Sequence, residues 1–169
     1  GASGPRELLH SAREAADRAS ELVRKLLLFS RKQPIEPRPV ALDRLVEGLL
    51  TMLERIIGER VTIETRLEEP LPPVLADPTN LEQILVNLVV NARDAMPQGG
   101  RIRIETRVRT VTDATERGFP QARAGDFVCL VVADTGIGID PVRVPEIFDP
   151  FTTTKEFGSG LGLAVVYGI

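Results

Sequence analysis

The sequence has one cysteine, one histidine, one tyrosine and no tryptophan in 169 residues. A single cysteine excludes a disulfide framework and fits a reducing, cytoplasmic setting. No apolar run comes near the ~18 residues of a membrane-spanning helix, and no basic-then-apolar leader opens the chain. Any membrane anchorage of the intact protein would run through a segment outside these residues. Neither sign of charge dominates, with 21 Lys and Arg against 24 Asp and Glu for a net charge of −3. That balance lacks the concentrated cationic footprint of a nucleic-acid protein. What is present is ordinary: 43% apolar and 27% charged residues, the mixture of a globular domain rather than of a disordered chain. The length fits one domain with an appended helix. Residues 1–4, Gly-Ala-Ser-Gly, read as a cloning remnant and stand outside the argument.

From Pro5 to Ser30 the pattern is helical. Leu8, Ala12, Ala15, Ala19, Leu22, Leu26 and Phe29 recur at steps of four and three, a heptad seam. The prolines at 34, 37 and 39 end that helix, since each biases its predecessor towards extended geometry. We therefore divide the chain into a helix over 5–33, a stiff linker over 34–40 and a domain over 41–169. Leu42, Leu45, Val46, Leu49, Leu50, Leu53 and Ile57 predict an amphipathic helix closed near Gly58. Val61 to Leu67 alternates as a strand. Asp77-Pro78 opens a further helix with a cap and a proline just inside it; its core face reads as Leu81, Ile84, Leu85, Leu88 and Ala92. Arg101 to Val108 is a strand with Ile102, Ile104 and Val108 on one side and a solvated arginine face on the other. The unbroken apolar run Phe127 to Ala133 predicts a central strand covered on both faces, with Cys129 a small core residue. Pro145 is expected to keep the segment before Phe148 irregular. The chain stops at Tyr167-Gly168-Ile169, in what reads as the first turns of a helix, so the domain is expected to be incomplete at its C-terminus. The order of elements predicts an α+β sandwich, a mixed sheet with helices on one face.

Three polar groupings stand out. Gln83, Asn87, Asn91 and Asp94 follow at steps of four, four and three and so line one helix face. Two amide oxygens one turn apart suit a hard cation such as Mg²⁺ that also takes phosphate oxygens, although such a stripe equally fits a solvated helix face. Asp134-Thr135-Gly136-Ile137-Gly138 follows a buried strand. Its glycines let backbone approach a planar ligand and its carboxylate can accept from an exocyclic amine; an ordinary turn has the same residue types. Gly158-Ser159-Gly160-Leu161-Gly162-Leu163 feeds a helix, where free N–H groups and the helix dipole favour phosphate. It carries neither the Lys-Ser/Thr of a Walker loop nor the preceding strand of a dinucleotide fingerprint. Between the last two groupings lies Phe148-Asp149-Pro150-Phe151-Thr152-Thr153-Thr154-Lys155, two aromatics followed by a cation.

Taken in order, these groupings resemble the catalytic, ATP-binding domain of bacterial sensor histidine kinases, within the gyrase, Hsp90, histidine kinase and MutL ATPases. Asn87 and Asn91 match the N box of that family, Asp134 to Gly138 its first glycine box, Phe148 and Phe151 its F box, and Gly158 to Leu163 its second glycine box. Asn91-Ala92-Arg93-Asp94-Ala95-Met96 and the Phe-x-Thr-Thr-Lys segment look most like the nitrogen-regulator and hybrid-kinase branch. The resemblance implies a Bergerat-type ATP site. Asp134 would receive the adenine amino group, with Gly136, Ile137 and Gly138 beside it, while Asn87 and Asn91 would handle Mg²⁺ and the phosphates. Arg93, Asp94, Phe148, Thr154, Lys155, Gly158, Ser159, Gly160, Leu161, Gly162 and Leu163 would frame the nucleotide, Lys155 or Arg93 offering positive charge to the phosphates. Gyrase-like relatives place a glutamate base where Asn87 stands, so the resemblance implies a kinase rather than a hydrolase.

The same resemblance makes 5–33 the second helix of a dimerisation bundle, with a homodimer formed through residues 5–30. It implies transfer of phosphoryl to a histidine and then to a response-regulator aspartate. The only histidine, His10, reads as a solvated surface residue on that helix, so this chain is expected to bind ATP without phosphorylating itself. Only Glu156 and Phe157 separate Lys155 from Gly158, a short lid. Two other readings compete with the kinase: a gyrase/Hsp90-type ATPase, and a dimeric scaffold or pseudo-enzyme in which nucleotide binding is vestigial.

Overall fold

The computed structural model describes residues 35–112, 124–153 and 159–169. The helix expected over 5–33 lies outside them. Strand β1 (Arg38–Val40) occupies the end of the segment read as a linker and pairs antiparallel with β3 (Val74–Ala76). Helix α1 spans Leu42–Ile57 and buries Leu42, Val46, Leu53 and Ile57, the apolar stripe expected from its spacing. Gly58, at φ +74°, closes it by donating its N–H to the Glu54 carbonyl at 3.1 Å.

Strand β2 (Val61–Leu67) leads through β3 to α2 (Pro78–Asp94). Asp77 caps α2 by accepting the Thr79 N–H at 2.9 Å, and Pro78 sits where a missing N–H costs nothing. The other Asp77 oxygen accepts the Glu36 N–H at 3.1 Å, tying the lead into β1 to the start of α2. The core face of α2 is rotated from the expected one. Leu85, Val89 and Ala92 are buried, whereas Leu81, Ile84 and Leu88 are half-buried. Leu88 and Ile84 run back along the helix from Asn91, on the flank that a third helix approaches.

Strands β4 (Gly100–Val111) and β5 (Gly125–Asp134) complete a three-stranded sheet in the order β2-β4-β5. β2 and β4 are parallel, with Ile63 opposite Ile102, and β4 and β5 antiparallel, with Ile104 opposite Val132. The helices cover the face carrying Ile102 and Ile104, and the core joins these to Val46, Leu53, Leu85, Val89 and Met96. Thr106 is buried on that face because its hydroxyl accepts the Glu68 N–H at 3.3 Å. On the opposite face Arg101 pairs with Glu64 at 2.9 Å and Arg103 with Glu105 at 2.8 Å, the expected solvated charge ladder.

The expectation of β5 as a central, doubly covered strand is corrected. Among the described residues β4 is central and β5 is an edge, with Phe127 exposed and Cys129 half-buried. Leu130 and Val132 pack on the core, while Phe127, Cys129 and Val131 belong to the other face, beside arginines of β4. An unbroken apolar run fixes that a strand is sticky on both faces, not which strands flank it. A 3₁₀ turn over Pro141–Glu146, with Pro145 inside it, and a short helix α3 (Gly162–Gly168) follow.

Candidate functional site

Two glycine loops converge on the C-terminal end of α2, one at Ala95 and the other at Asn91. Arg101, near the start of β4, pairs with Thr135, just past the end of β5: the Thr135 N–H donates to the Arg101 carbonyl at 3.2 Å, and the Arg101 N–H donates to Thr135 Oγ1 at 3.1 Å. The chain then leaves the sheet and lies on α2. Gly136 packs so closely there that a Cβ would stand 2.6 Å from the Ala95 carbonyl oxygen. The Ile137 N–H donates to that same oxygen at 3.1 Å. Asp134 is exposed at the strand end, and its Oδ1 accepts the Gly136 N–H at 2.8 Å. Its Oδ2 has no hydrogen-bond partner among the described residues. A carboxylate so arranged has one oxygen spent on its own turn and one able to accept from a ligand. Ile137 is 82% exposed beside it, and Gly138 takes φ +72°.

The second glycine loop reaches the same helix. A Cβ on Gly162 would lie 3.2 Å from Asn91 Nδ2, so α3 begins against the amide of Asn91. The first turn of α3 has no side-chain cap. Gly160, at φ +64°, accepts the Phe151 N–H on its carbonyl at 2.9 Å, and a Cβ there would stand 2.4 Å from the Phe151 carbonyl carbon. Phe148 and Tyr167 pack with ring centroids 5.3 Å apart, joining the aromatic segment to α3.

Of the residues expected at the site, the structure brings together Asn91, Asp134, Gly136, Ile137, Gly138, Gly160 and Gly162, all at or within one helical turn of Asn91 and Ala95 or in the turns docked there. Asn87 is half-buried one turn earlier on α2. Ser159, Gly162 and Leu163 are half-buried, while Leu161 is a core side chain at 3% exposure. Phe148 is partly exposed over Tyr167. Arg93 is not brought to this group. Its Nη1 donates to the Ile56 carbonyl at the end of α1 at 3.0 Å, and its Nε and Nη2 donate to Asp94 Oδ1 at 2.9 and 2.6 Å. Asp94 is thereby committed in part to its neighbour. Thr154, Lys155 and Gly158 lie outside the described residues.

Sequence reasoning passed over Thr135, Ala95, Met96 and Tyr167 as contributors. Nothing local marked these four, since their partners lie far along the chain. The cap at Asp77 was expected, but not its second bond to Glu36. That bond, with the cap, holds the Asp77 carboxyl below its ordinary value of 3.8 against the opposing effect of partial burial. A cavity of about 540 Å³ lies elsewhere, between the end of α1 and the start of β2 around Glu54, Gly58 and Val61, and shares no residue with this group.

Comparison with known proteins places this geometry. The profile of the family described as histidine kinase-, DNA gyrase B-, and HSP90-like ATPase matches residues 76–169. The sensor kinase CckA of Brucella abortus (strain 2308) is 43% identical over 159 residues, 93% of this chain and 17% of that protein. The sensory histidine kinase/phosphatase NtrB of Rhizobium meliloti (strain 1021) is 31% identical over 155 residues, 90% of this chain and 40% of that protein. Among solved structures, full-length ShkA in complex with AMPPNP is similar with a TM-score of 0.69 at 28% identity, covering 95% of this chain and 32% of that one. The nucleotide-free catalytic domain of the histidine kinase ThkA is similar with a TM-score of 0.55 at 25% identity, over 81% and 80%. The chain thus spans well under half the length of these curated relatives, 17% and 40%. With that profile covering more than half of the chain, over the helix and loops that build the site, the chain belongs to the histidine kinase-, DNA gyrase B- and HSP90-like ATPases.

Proposed function

We propose that this chain is the ATP-binding catalytic part of a two-component sensor histidine kinase. In the intact protein it would pass the γ-phosphoryl of ATP to a histidine on a dimerisation helix, from which a response-regulator aspartate receives it. The observation that carries the reading is Asp134: its Oδ1 is held by the Gly136 N–H at 2.8 Å, and its turn docks on Ala95, one helical turn beyond Asn91. Base and phosphates of one nucleotide would then meet residues of adjoining elements. Relatives named as sensor kinases, and a similar structure described with AMPPNP, support the same choice.

Mg²⁺ fits the donor set. Asn87 and Asn91 offer neutral amide oxygens one turn apart, and the described residues contain no cluster of three or more His, Cys, Asp or Glu. An ion that shares its ligands with phosphate oxygens suits such a site better than one needing a dedicated protein cage. When bound, the ion would neutralise phosphate charge. The chain's own contribution is positioning: Asp134 orients the base, Asn87 and Asn91 the phosphate end, and the loop at Gly160–Gly162 closes against Asn91. Phosphoryl transfer asks for little else from this part, since the nucleophile is the incoming histidine. Asn87 stands where a hydrolase of the family would place its glutamate base, which favours transfer over hydrolysis. Thr154, Lys155 and Gly158 would complete the frame. Residues 5–33 would supply a dimerisation helix and 5–30 a homodimer contact. We place the activity in the cytoplasm, where ATP and a response regulator would be met; separately, no helix among the described residues is long and apolar enough to cross a membrane.

The test is phosphoryl transfer in trans. The chain is incubated with γ-labelled ATP, Mg²⁺ and a separately produced dimerisation domain bearing a histidine. Acid-labile label on that domain, and none on this chain, is the expected result. Label on His10 would contradict the expectation that the chain cannot phosphorylate itself, and brisk release of free phosphate without any acceptor would point to a hydrolase.

A further inference from the structure

We propose that Thr135 is a positioning residue for base selection: its hydroxyl fixes where the Asp134 carboxylate stands, and through it the preference for adenine over a 6-oxopurine. This rests on the reading of Asp134 as the acceptor for the adenine amino group.

The ladder between β4 and β5 ends just short of Thr135. Its register runs from Val111 opposite Gly125 to Ile102 opposite Asp134. The next antiparallel rung would pair Arg101 with Thr135 through two backbone bonds. One of them forms, from the Thr135 N–H to the Arg101 carbonyl at 3.2 Å. The other is made by a side chain, the Arg101 N–H donating to Thr135 Oγ1 at 3.1 Å. The hydroxyl thus stands in for the strand's own carbonyl. Arg101 keeps a complete rung while the backbone after Thr135 is released to turn onto α2, where Gly136 and Ile137 meet the Ala95 carbonyl.

Thr135 is itself exposed, but its hydroxyl lies against close neighbours on one side. Thr135 Oγ1 lies 3.5 Å from Met96 Sδ, on a methionine that is 4% exposed. A Cβ on Gly100 would come within 2.7 Å of that oxygen and 2.5 Å of the sulfur. Asp134 therefore stands opposite Ile102 in a pair that exchanges no backbone bonds, and is held by the Arg101–Thr135 clamp beside it and by the bond from the Gly136 N–H to Oδ1. What the clamp sets is the placement of Oδ2, and its spacing from Asn91 one turn back from Ala95. A side chain without an acceptor leaves the Arg101 N–H without its rung and the strand end free to shift.

Two substitutions separate hydroxyl from shape. Thr135→Val keeps the branched shape and removes the acceptor; Thr135→Ser keeps the acceptor and removes the methyl. Each is titrated calorimetrically with ATP and with inosine 5′-triphosphate, which carries an oxygen in place of the amino group, beside the wild type and Asp134→Asn. Thr135→Ser is expected to keep the wild-type ratio of the two affinities. Thr135→Val is expected to lose ATP affinity roughly threefold to tenfold, the worth of one neutral hydrogen bond, with inosine triphosphate unchanged. Equal losses for both nucleotides, or a wild-type ratio in Thr135→Val, would overturn the proposal. If the valine variant does not fold, a folded Thr135→Ser that has lost its ATP preference overturns it and one that retains that preference supports it. A wild-type chain that binds neither nucleotide, or an Asp134→Asn variant that matches wild type for both, would overturn the reading of Asp134 itself and the proposal with it.

Discussion

At the scale of single residues, the site is built on glycines, needed either because a side chain would not fit or because the backbone is left-handed. Gly136 and Gly138 are two positions apart and matter for different reasons. A Cβ on Gly136 would collide with the Ala95 carbonyl at 2.6 Å, whereas Gly138 has open space and a φ of +72°. Gly136→Ala is expected to destabilise the fold by roughly 1–3 kcal/mol, the cost of overpacking, and to displace Asp134 from α2. Gly138→Ala is expected to cost about 1 kcal/mol of left-handed strain and to leave the dock on Ala95 in place. Urea unfolding with nucleotide titration distinguishes the two, and equal loss of binding in both variants would contradict the assignment. The glycines were legible in the sequence because backbone demands select glycine locally. Thr135 and Arg93 were not. Their partners, Arg101 and Ile56, lie 34 and 37 residues away, and a threonine or an arginine carries no mark of a distant carbonyl or N–H.

Elements were read more fully than their neighbours. The bounds of α1 and α2 follow from apolar spacing, the Asp77-Pro78 start and the glycine stop, all local signals. The rotation of the α2 core face was not readable, since apolar spacing does not say which of the stripe's residues the sheet and α1 cover. Leu85 is fully buried in that core and Leu75 of β3 is 75% exposed. Leu85→Ala is expected to cost roughly 2–5 kcal/mol and Leu75→Ala no more than about 0.5 kcal/mol, by denaturant unfolding. Asp77 joins two elements, and its bonds from the Glu36 and Thr79 N–H groups lower its pKa. A carboxyl whose folded value is depressed stabilises fully above its unfolded value and loses that contribution as pH falls through the folded one. Asp77→Ala is therefore expected to melt a few degrees below wild type near neutral pH, with the gap closing below about pH 4. A gap that stays constant into acid would show that the carboxylate charge is not what ties β1 to α2.

At the scale of the whole molecule, the order of elements and the sandwich were foreseeable, because periodicity and caps delimit each piece. Sheet order was not. β5 is as apolar as a central strand, yet it lies at the edge of the described sheet, a position that composition does not mark. The convergence of two glycine loops on the end of α2, with the aromatic segment joined to the second, was legible only as an ordered set of motifs; the structure supplies the docking contacts that join them. The central claim is that this convergence binds a nucleotide through Asp134. Calorimetric titration of the chain with ADP and with a non-hydrolysable ATP analogue, with and without Mg²⁺ and beside Asp134→Asn, tests it most directly. Binding that Asp134→Asn abolishes and Mg²⁺ strengthens for the triphosphate analogue is the expected result. Absence of binding in a folded sample, or binding indifferent to Asp134, would contradict it.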